Sequence, residues 1–125
     1  MRKGSYGITG AAGLTAELAI TAFPGDVGGE VANVNRWRAR LQLPPQSAAE
    51  VSELLTRSTI NGLHVSVAEL SNSIGVDSQR MLGAIIPFAG DTWFFKLVGP
   101  DAIVTETKTA FLEFIQTVKP APPAS

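Results

Sequence analysis

Cysteine is absent from this chain of 125 residues, and histidine occurs once, as His64. The missing thiols exclude disulfides, cysteine nucleophiles and cysteine-ligated metal centres, and a single histidine excludes a multi-histidine metal site. Charged residues make up only 17% of the chain, with a net charge of −1, so no global positive charge can hold nucleic acid. No run of about 18 apolar residues occurs that would span a membrane. The sequence therefore predicts no metal, no cofactor, no nucleic-acid partner and no transmembrane segment.

The chain does contain enough apolar residues for one folded domain. An apolar fraction of 45% over this length predicts a single core, which we place in residues 1–119. Residues 120–125 are rich in proline and alanine, which predicts a disordered tail. Met1–Lys3 is basic, but glycine and serine follow where a signal peptide has its apolar segment, so no export signal is expected within the chain itself.

The first part of the chain has the patterns of two strands and then a helix. Alternating apolar residues around a glycine-bounded loop predict a hairpin of strands over residues 3–9 and 15–23. Apolar residues at three- and four-residue steps then predict a helix that opens at Asp26 or Gly28 and ends near Leu41.

A second helix and the remaining strands follow. Ser47 and Glu50 have the spacing of a capping box, which predicts a short helix reaching about Arg57. Alternation predicts strands at residues 58–60, 63–70, 80–88 and 92–98. Asn61-Gly62 is either a turn or a bulge. A last helix is expected from about Pro100 to Lys119.

The order of these elements indicates the fold class. The order β-β-α-α-β-β-β-α with consecutive hairpins predicts a single α+β domain, in which a twisted antiparallel sheet of about five to six strands packs with three helices. The strand at residues 92–98 is apolar on both faces except at Lys96. It is therefore expected in the centre of the sheet, covered on both sides.

The glycine-rich junction at residues 23–29 is the first candidate site. Gly28 and Gly29 precede a helix, and backbone N–H groups at such a position can bind an anion. Asp26 stands where that anion would lie and can cap the amides itself. A structural loop is the main interpretation, and a ligand site is the alternative.

The predicted first helix carries the only basic cluster. Arg36 and Arg40 are one turn apart and project together, so they could clamp a carboxylate or phosphate. They could equally pair with Glu30, Asp26 or Glu53. Asn33 is expected on the same polar side, with a hydrogen bond to the neighbouring loop as its main role and ligand recognition as the alternative.

Four stretches also carry a family resemblance, at residues 21–29, 32–38, 80–87 and 92–99. They resemble a group of small uncharacterised bacterial proteins, often predicted lipoproteins, of planctomycete- and verrucomicrobial-type genomes. The resemblance covers about residues 1–119, and the pairing of FPGDVGG (23–29) with NVNRWR (33–38) is its most specific part. The element order further resembles the Mog/PsbP-like fold, an antiparallel sheet between helical layers.

These resemblances imply a role in binding rather than an activity. PsbP-like domains generally act as binding or assembly modules, and the bacterial group has no activity to carry over. We therefore expect a non-enzymatic protein-binding or assembly domain of an exported bacterial protein, with its contact at Asp26, Gly28, Gly29, Asn33, Arg36 and Arg40. The implied location is extracytoplasmic, either periplasmic or lipid-anchored through a cysteine upstream of Met1. A cytoplasmic regulator is the open alternative.

A second hypothesis is a small-molecule binding domain or a minor enzyme. It would use an anionic-ligand pocket near Trp37, Trp93 and His64. A general base needs a nucleophile within hydrogen-bond reach, and no nucleophile elbow accompanies His64. Protein binding is therefore the preferred hypothesis.

Overall fold

The computed structural model describes residues 2–9, 15–25, 28–72 and 78–119. These ranges contain six strands and three helices, which confirms the predicted α+β class. The elements in chain order are β1 (Arg2–Thr9), β2 (Thr15–Pro24), α1 (Gly29–Arg40), α2 (Ala48–Leu54), β3 (Thr56–Ile60), β4 (Leu63–Asn72), β5 (Gln79–Phe88), β6 (Asp91–Pro100) and α3 (Asp101–Gln116).

The strands form one antiparallel sheet in the order β1-β2-β6-β5-β4-β3. The first hairpin therefore joins the sheet beside β6, a strand from near the other end of the chain. In this ladder Glu17 is opposite Val98 and Thr21 is opposite Phe94. β6 lies between β2 and β5, as its apolar residues on both faces predicted.

Helices α1 and α2 cover one face of the sheet, because each has an apolar side that must be buried. Trp37 of α1 is 4% exposed and lies over Gly83 of β5. Its ring also meets Phe94 edge to face, with the ring centroids 6.1 Å apart. The other buried members of this core are Val34, Leu41, Val51, Leu55, Ala68, Leu70, Met81 and Ile85.

Helix α3 covers the opposite face. Its buried residues are Ile103, Val104, Phe111 and Ile115. They pack on strand residues that include Leu63, Val65, Leu82, Ala84, Ile86, Phe95 and Leu97. The end of the helix is tied to the turn between β3 and β4, because Asn61 Nδ2 donates to the Val118 carbonyl at 2.8 Å.

Most element boundaries lie close to those that the sequence patterns predict. The capping box at Ser47 and Glu50 is present, with both reciprocal hydrogen bonds formed. The helix it opens ends at Leu54 rather than near Arg57, because Leu55 is extended and Thr56 already pairs with Val67. Asn61-Gly62 is a turn with positive φ at both residues. It separates β3 from β4, so the sheet has six strands.

No helix in the described parts of the chain is long and apolar enough to cross a membrane. The proline-rich residues 120–125, predicted as a tail, lie outside the described residues.

Candidate functional site

The junction between β2 and α1 is held by hydrogen bonds to the turn between β5 and β6. The Gly25 N–H donates to the Gly90 carbonyl at 2.7 Å, and the Thr92 hydroxyl donates to the Gly25 carbonyl at 2.6 Å. Gly28 is the N-cap of α1 and has φ of 90°, and Gly29 has φ of 81°. An L side chain is strained at such angles, so backbone conformation alone accounts for both glycines. Asp26 lies outside the described residues.

Asn33 differs from its predicted surface position. Its side chain is 1% exposed, because α1 turns it toward the sheet. The Nδ2 group donates to the Gly29 carbonyl at 2.6 Å, and Oδ1 accepts from Arg36 Nη1 at 2.7 Å. Asn33 therefore braces the first turns of α1 and orients Arg36. The hydrogen bond to nearby backbone that was its main expected role is present, whereas its side chain is buried rather than on the exposed polar side of the helix.

Arg36 and Arg40 are exposed on α1, one turn apart as predicted. The hydrogen bond to Asn33 is the one side-chain bond that the structure gives Arg36, and within the described ranges Arg40 has none. Neither arginine forms an ion pair with a described carboxylate. Like charges at this helical spacing repel by about 0.2–0.5 kcal/mol, and no described carboxylate offsets this repulsion with an ion pair.

These arginines border a cleft of about 250 Å³ between α1 and the sheet, which we call the α1 cleft. Its polar lining comes from Thr21, Asn33, Arg36, Arg40 and Lys96. Its aromatic lining comes from Phe23, Trp37 and Phe94. Among the described residues, the lining includes the cationic side chains of Arg36, Arg40 and Lys96.

Phe23 of the cleft belongs to the predicted junction at residues 23–29, whereas Thr21 and Lys96 were not predicted as site residues. They stand on β2 and β6, on the same face of the sheet as Phe94. Phe23 is 40% exposed, and its ring contacts Phe94 edge to face with centroids 6.1 Å apart. Lys96 interrupts an otherwise apolar strand, which was a usable signal. The helix that Lys96 faces depends on the order of strands in the sheet, and the sequence pattern does not show that order.

Glu30, a predicted partner of these arginines, is paired elsewhere. Arg57 Nη2 donates to Glu30 Oε1 at 2.8 Å, and the Ser66 hydroxyl donates to Glu30 Oε2. The hydrogen bond from Arg57 lowers the pKa of Glu30, with further lowering by Ser66 and by the Arg57 charge, against partial burial. The predicted pairing with Arg36 or Arg40 was therefore wrong for Glu30. Its carboxylate instead joins α1 to β3 and β4.

A second ion network joins β4, β5 and α3. Arg80 donates to both Glu69 and Asp101, and Lys108 Nζ donates to Glu69 Oε1 at 2.7 Å. The pKa of Glu69 is lowered, chiefly by the hydrogen bond from Lys108, and the pKa of Asp101 is lowered, chiefly by the hydrogen bond from Arg80. The carboxylates of the described ion pairs, Glu30, Glu69 and Asp101, are not among the described residues that line the α1 cleft.

The lowered carboxyl pKa values predict a pH dependence of stability. A carboxyl group whose pKa is lower in the folded state stabilises the fold above its ordinary pKa, about 4.3 for glutamate. The contribution is lost as the pH falls through the folded-state pKa. Glu69→Gln should therefore unfold at lower urea concentration than the unchanged protein at pH 7, and the difference should shrink toward pH 3. Glu113→Gln, an exposed change on α3, is the control; an equal pH trend in both variants would contradict the prediction.

The second hypothesis, a pocket near both tryptophans, does not agree with the structure. Trp37 packs on the face covered by α1, whereas Trp93 is on the α3 face with Phe95, because alternate residues of a strand point to opposite faces. Trp93 lines a separate apolar groove of about 420 Å³, which Phe88 and Phe114 also border. The two tryptophans therefore cannot share a site.

His64 is exposed, on the face of β4 opposite Leu63 and Val65 as predicted. It borders a hollow of about 450 Å³ with Ser66, Glu30 and Arg57. The Ser66 hydroxyl is hydrogen-bonded to Glu30. Within the described ranges, no group of three or more histidine, aspartate or glutamate side chains could hold a metal ion.

Comparison with known proteins gives a structural likeness and no sequence family. No family model and no curated protein matches the chain. The crystal structure of PA94, a protein of unknown function from Pseudomonas aeruginosa, superposes with a TM-score of 0.61. That match covers 96% of this chain and 83% of PA94, at 14% sequence identity. The likeness is one of fold.

A second solved structure, from Bacteroides thetaiotaomicron, gives a TM-score of 0.45 at 10% identity. It covers 83% of this chain but only 38% of the other, and it carries no argument here. The comparisons therefore support the α+β architecture through PA94 and assign no residue a role.

Proposed function

We propose that this chain is a non-enzymatic protein-binding domain whose contact surface is the α1 cleft. One observation carries the proposal: Arg36 and Arg40 are exposed on one side of α1, without a carboxylate partner in the described ranges, facing an aromatic wall that includes the exposed Phe23. Arginine and aromatic side chains are enriched in protein interfaces and dominate their binding energy. A protein contact at this cleft would use Arg36, Arg40 and Phe23.

The chemistry around His64 favours binding over catalysis. The neighbouring hydroxyl, on Ser66, donates to Glu30, and Glu30 is in turn paired with Arg57. A serine nucleophile needs its hydroxyl proton directed toward a base. Here the carboxylate that accepts the hydrogen bond from Ser66 has a lowered pKa, which makes it a weak base, so the arrangement favours a structural role over a catalytic one.

The family resemblance extends the proposal to location and fold type. The resemblance to a group of predicted bacterial lipoproteins supports an exported protein in the periplasm or on a lipid anchor. The resemblance to Mog/PsbP-like domains supports a binding or assembly role. Cell fractionation of the native host with an antibody against the domain tests the location, and recovery of the protein in the cytosol alone would contradict it.

A small anionic ligand in the same cleft is the second candidate. It is favoured by the concave shape of the cleft and by the exposed cationic side chains of Arg36 and Arg40. A protein partner remains preferred because Phe23, at 40% exposure, extends the surface beyond the cleft. A ligand held wholly inside the cleft would not need this exposed ring.

The test compares capture of partners by three purified forms of the domain from the native envelope fraction. Arg36→Ala/Arg40→Ala removes the two cleft arginines. Arg38→Ala is the control, because it removes an arginine of the same helix whose side chain is hydrogen-bonded to the Pro44 carbonyl instead. Quantitative mass spectrometry should show partners that the unchanged domain and Arg38→Ala retain, and that the double variant loses by about tenfold or more. Equal recovery by all three forms would refute this surface as the contact.

A further inference from the structure

We propose that Asn61 is a site of spontaneous covalent modification, at which loss of the side-chain nitrogen as ammonia releases the C-terminal end of α3. The proposal is independent of the α1 cleft and uses the turn between β3 and β4 together with the end of α3. Its basis is the combination of the Asn-Gly sequence, the exposure of this turn and the hydrogen bonds that join it to the helix.

The turn between β3 and β4 places an asparagine directly before a glycine at an exposed position. Ile60 pairs with Leu63, so Asn61 and Gly62 alone connect the two strands. Both turn residues are exposed, and their φ angles are 52° and 80°. Glycine and asparagine adopt positive φ more readily than other residues, and a two-residue hairpin turn favours this pair. The fold thus presents to solvent the dipeptide that loses ammonia most readily.

The reaction needs water and no enzyme. The amide nitrogen of Gly62 attacks Cγ of Asn61, a new N–Cγ bond forms, the Cγ–Nδ2 bond breaks, and ammonia leaves with the proton of the attacking amide. Water then opens the cyclic imide at either of its two carbonyl carbons, which gives aspartate or isoaspartate. Glycine favours the attack because it has no side chain to hinder its nitrogen, and asparagine is among the thermolabile residues of proteins.

The side chain of Asn61 also holds the end of α3. Its Nδ2 group donates to the Val118 carbonyl at 2.8 Å and to the Gln116 carbonyl at 3.4 Å. The last carbonyls of a helix have no acceptor role within the helix, so they take donors from elsewhere. Ring closure turns the side chain toward the Gly62 nitrogen, so the amide leaves these carbonyls first. The two hydrogen bonds therefore slow the reaction in the folded protein.

The products cannot restore this contact. A carboxylate only accepts hydrogen bonds, so it has no donor for the Val118 and Gln116 carbonyls. Its negative charge also stands at the C-terminal end of a helix, where the partial charge of the carbonyls is negative. Isoaspartate in addition lengthens the turn, because the main chain then passes through the side-chain methylene. Modification thus loosens residues 117–119, which line the apolar groove beside Trp93.

The first experiment follows the folded protein at mildly alkaline pH. Peptide mapping by mass spectrometry, with isoaspartate-specific methylation, should show the acid at position 61 while Asn33 and Asn35 remain amides. Those two asparagines precede valine and arginine, and their side chains are hydrogen-bonded to backbone carbonyls. A blocked peptide of residues 58–64 should react about two- to tenfold faster than the protein, the ratio expected for one net hydrogen bond.

Three outcomes of this experiment would overturn the proposal. Earlier conversion of Asn33 or Asn35 would remove Asn61 as the modification site. Equal rates in the protein and the peptide would remove the protective role of the bonds to α3. Survival of Asn61 far beyond the tenfold range would show that the folded turn does not react.

The second experiment measures the end of α3 by amide hydrogen exchange. The Thr117 and Val118 amides donate within the last turn of the helix. In Asn61→Asp they should exchange about two- to tenfold faster than in the unchanged protein. Asn61→Gly, which tolerates the positive φ and also lacks the donor, should speed the same amides. The Leu41 amide at the end of α1 should keep its rate. Unchanged exchange at Thr117 and Val118 in both variants, or an equal increase at Leu41, would refute the release of α3.

Discussion

Gly83→Ala is expected to lower the free energy of unfolding by about 1–3 kcal/mol, because the added methyl group would overlap the ring of Trp37. A Cβ at this position would lie 2.4 Å from Cζ3 and 2.7 Å from Cη2 of that ring. The ring cannot easily move away, since Trp37 is 4% exposed and packs on Phe94. Chemical denaturation in urea measures the change. In Gly7→Ala, the control, the new Cβ would meet only Thr15 Cγ2, at an ordinary 3.7 Å.

A second variant separates this clash from a general cost of alanine in a strand. Trp37→Phe replaces the large ring by a smaller one, which leaves room at Gly83 while it loses packing elsewhere. Gly83→Ala combined with Trp37→Phe should then destabilise the fold by less than the sum of the two single changes, with a coupling of about 0.5–3 kcal/mol. Strict additivity, or equal losses in Gly83→Ala and Gly7→Ala, would show that the ring does not limit this position.

Phe111→Ala is expected to have the largest effect on stability, a loss of about 3–5 kcal/mol. Phe111 is 3% exposed in the core between α3 and the sheet, with Ile103, Val104 and Ile115. Truncation removes buried apolar surface and leaves a cavity that rigid neighbours cannot fill. Since whole domains are stable by about 5–15 kcal/mol, a substantial fraction of the total would disappear.

The matched control for this prediction is on the same helix. Phe114 is 40% exposed and touches Phe95, with ring centroids 5.9 Å apart, so Phe114→Ala should cost clearly less than Phe111→Ala. Phe111→Leu conserves most of the volume and should cost less than about 1.5 kcal/mol, which keeps a folded variant available for measurement. Thermal unfolding and urea titration give both differences. Similar losses in the two alanine variants would contradict the position of α3.

Most of the architecture could be predicted from local patterns. The Ser47 and Glu50 spacing predicted a capping box, and both of its hydrogen bonds are present. The apolar run of residues 92–98 predicted a central strand, and β6 has that position. Such features depend on neighbouring residues along the chain, so the sequence order already contains them.

Features that depend on distant pairing could not be predicted in the same way. Strand alternation shows that Trp93 and Phe94 point to opposite faces, but it does not show which of these faces α1 covers. The pairing of Glu30 with Arg57 requires α1 to lie over β3 and β4. The inward position of Asn33 reflects the rotation of α1 on the sheet. The α1 cleft arises from the same packing, because β2 and β6 meet beneath one helix.

The ladder between β2 and β6 also determines when the cleft can exist during folding. The hairpins β3–β4 and β5–β6, and the pair β4–β5, connect strands that follow one another in the chain, whereas β2–β6 closes a loop that contains two helices and three strands. Such closure is entropically costly and slow. During synthesis β6 emerges after β1 to β5 and the first two helices, so we expect the first hairpin to wait for it. Binding at the α1 cleft should consequently require a chain in which β6 has been synthesised and has paired with β2.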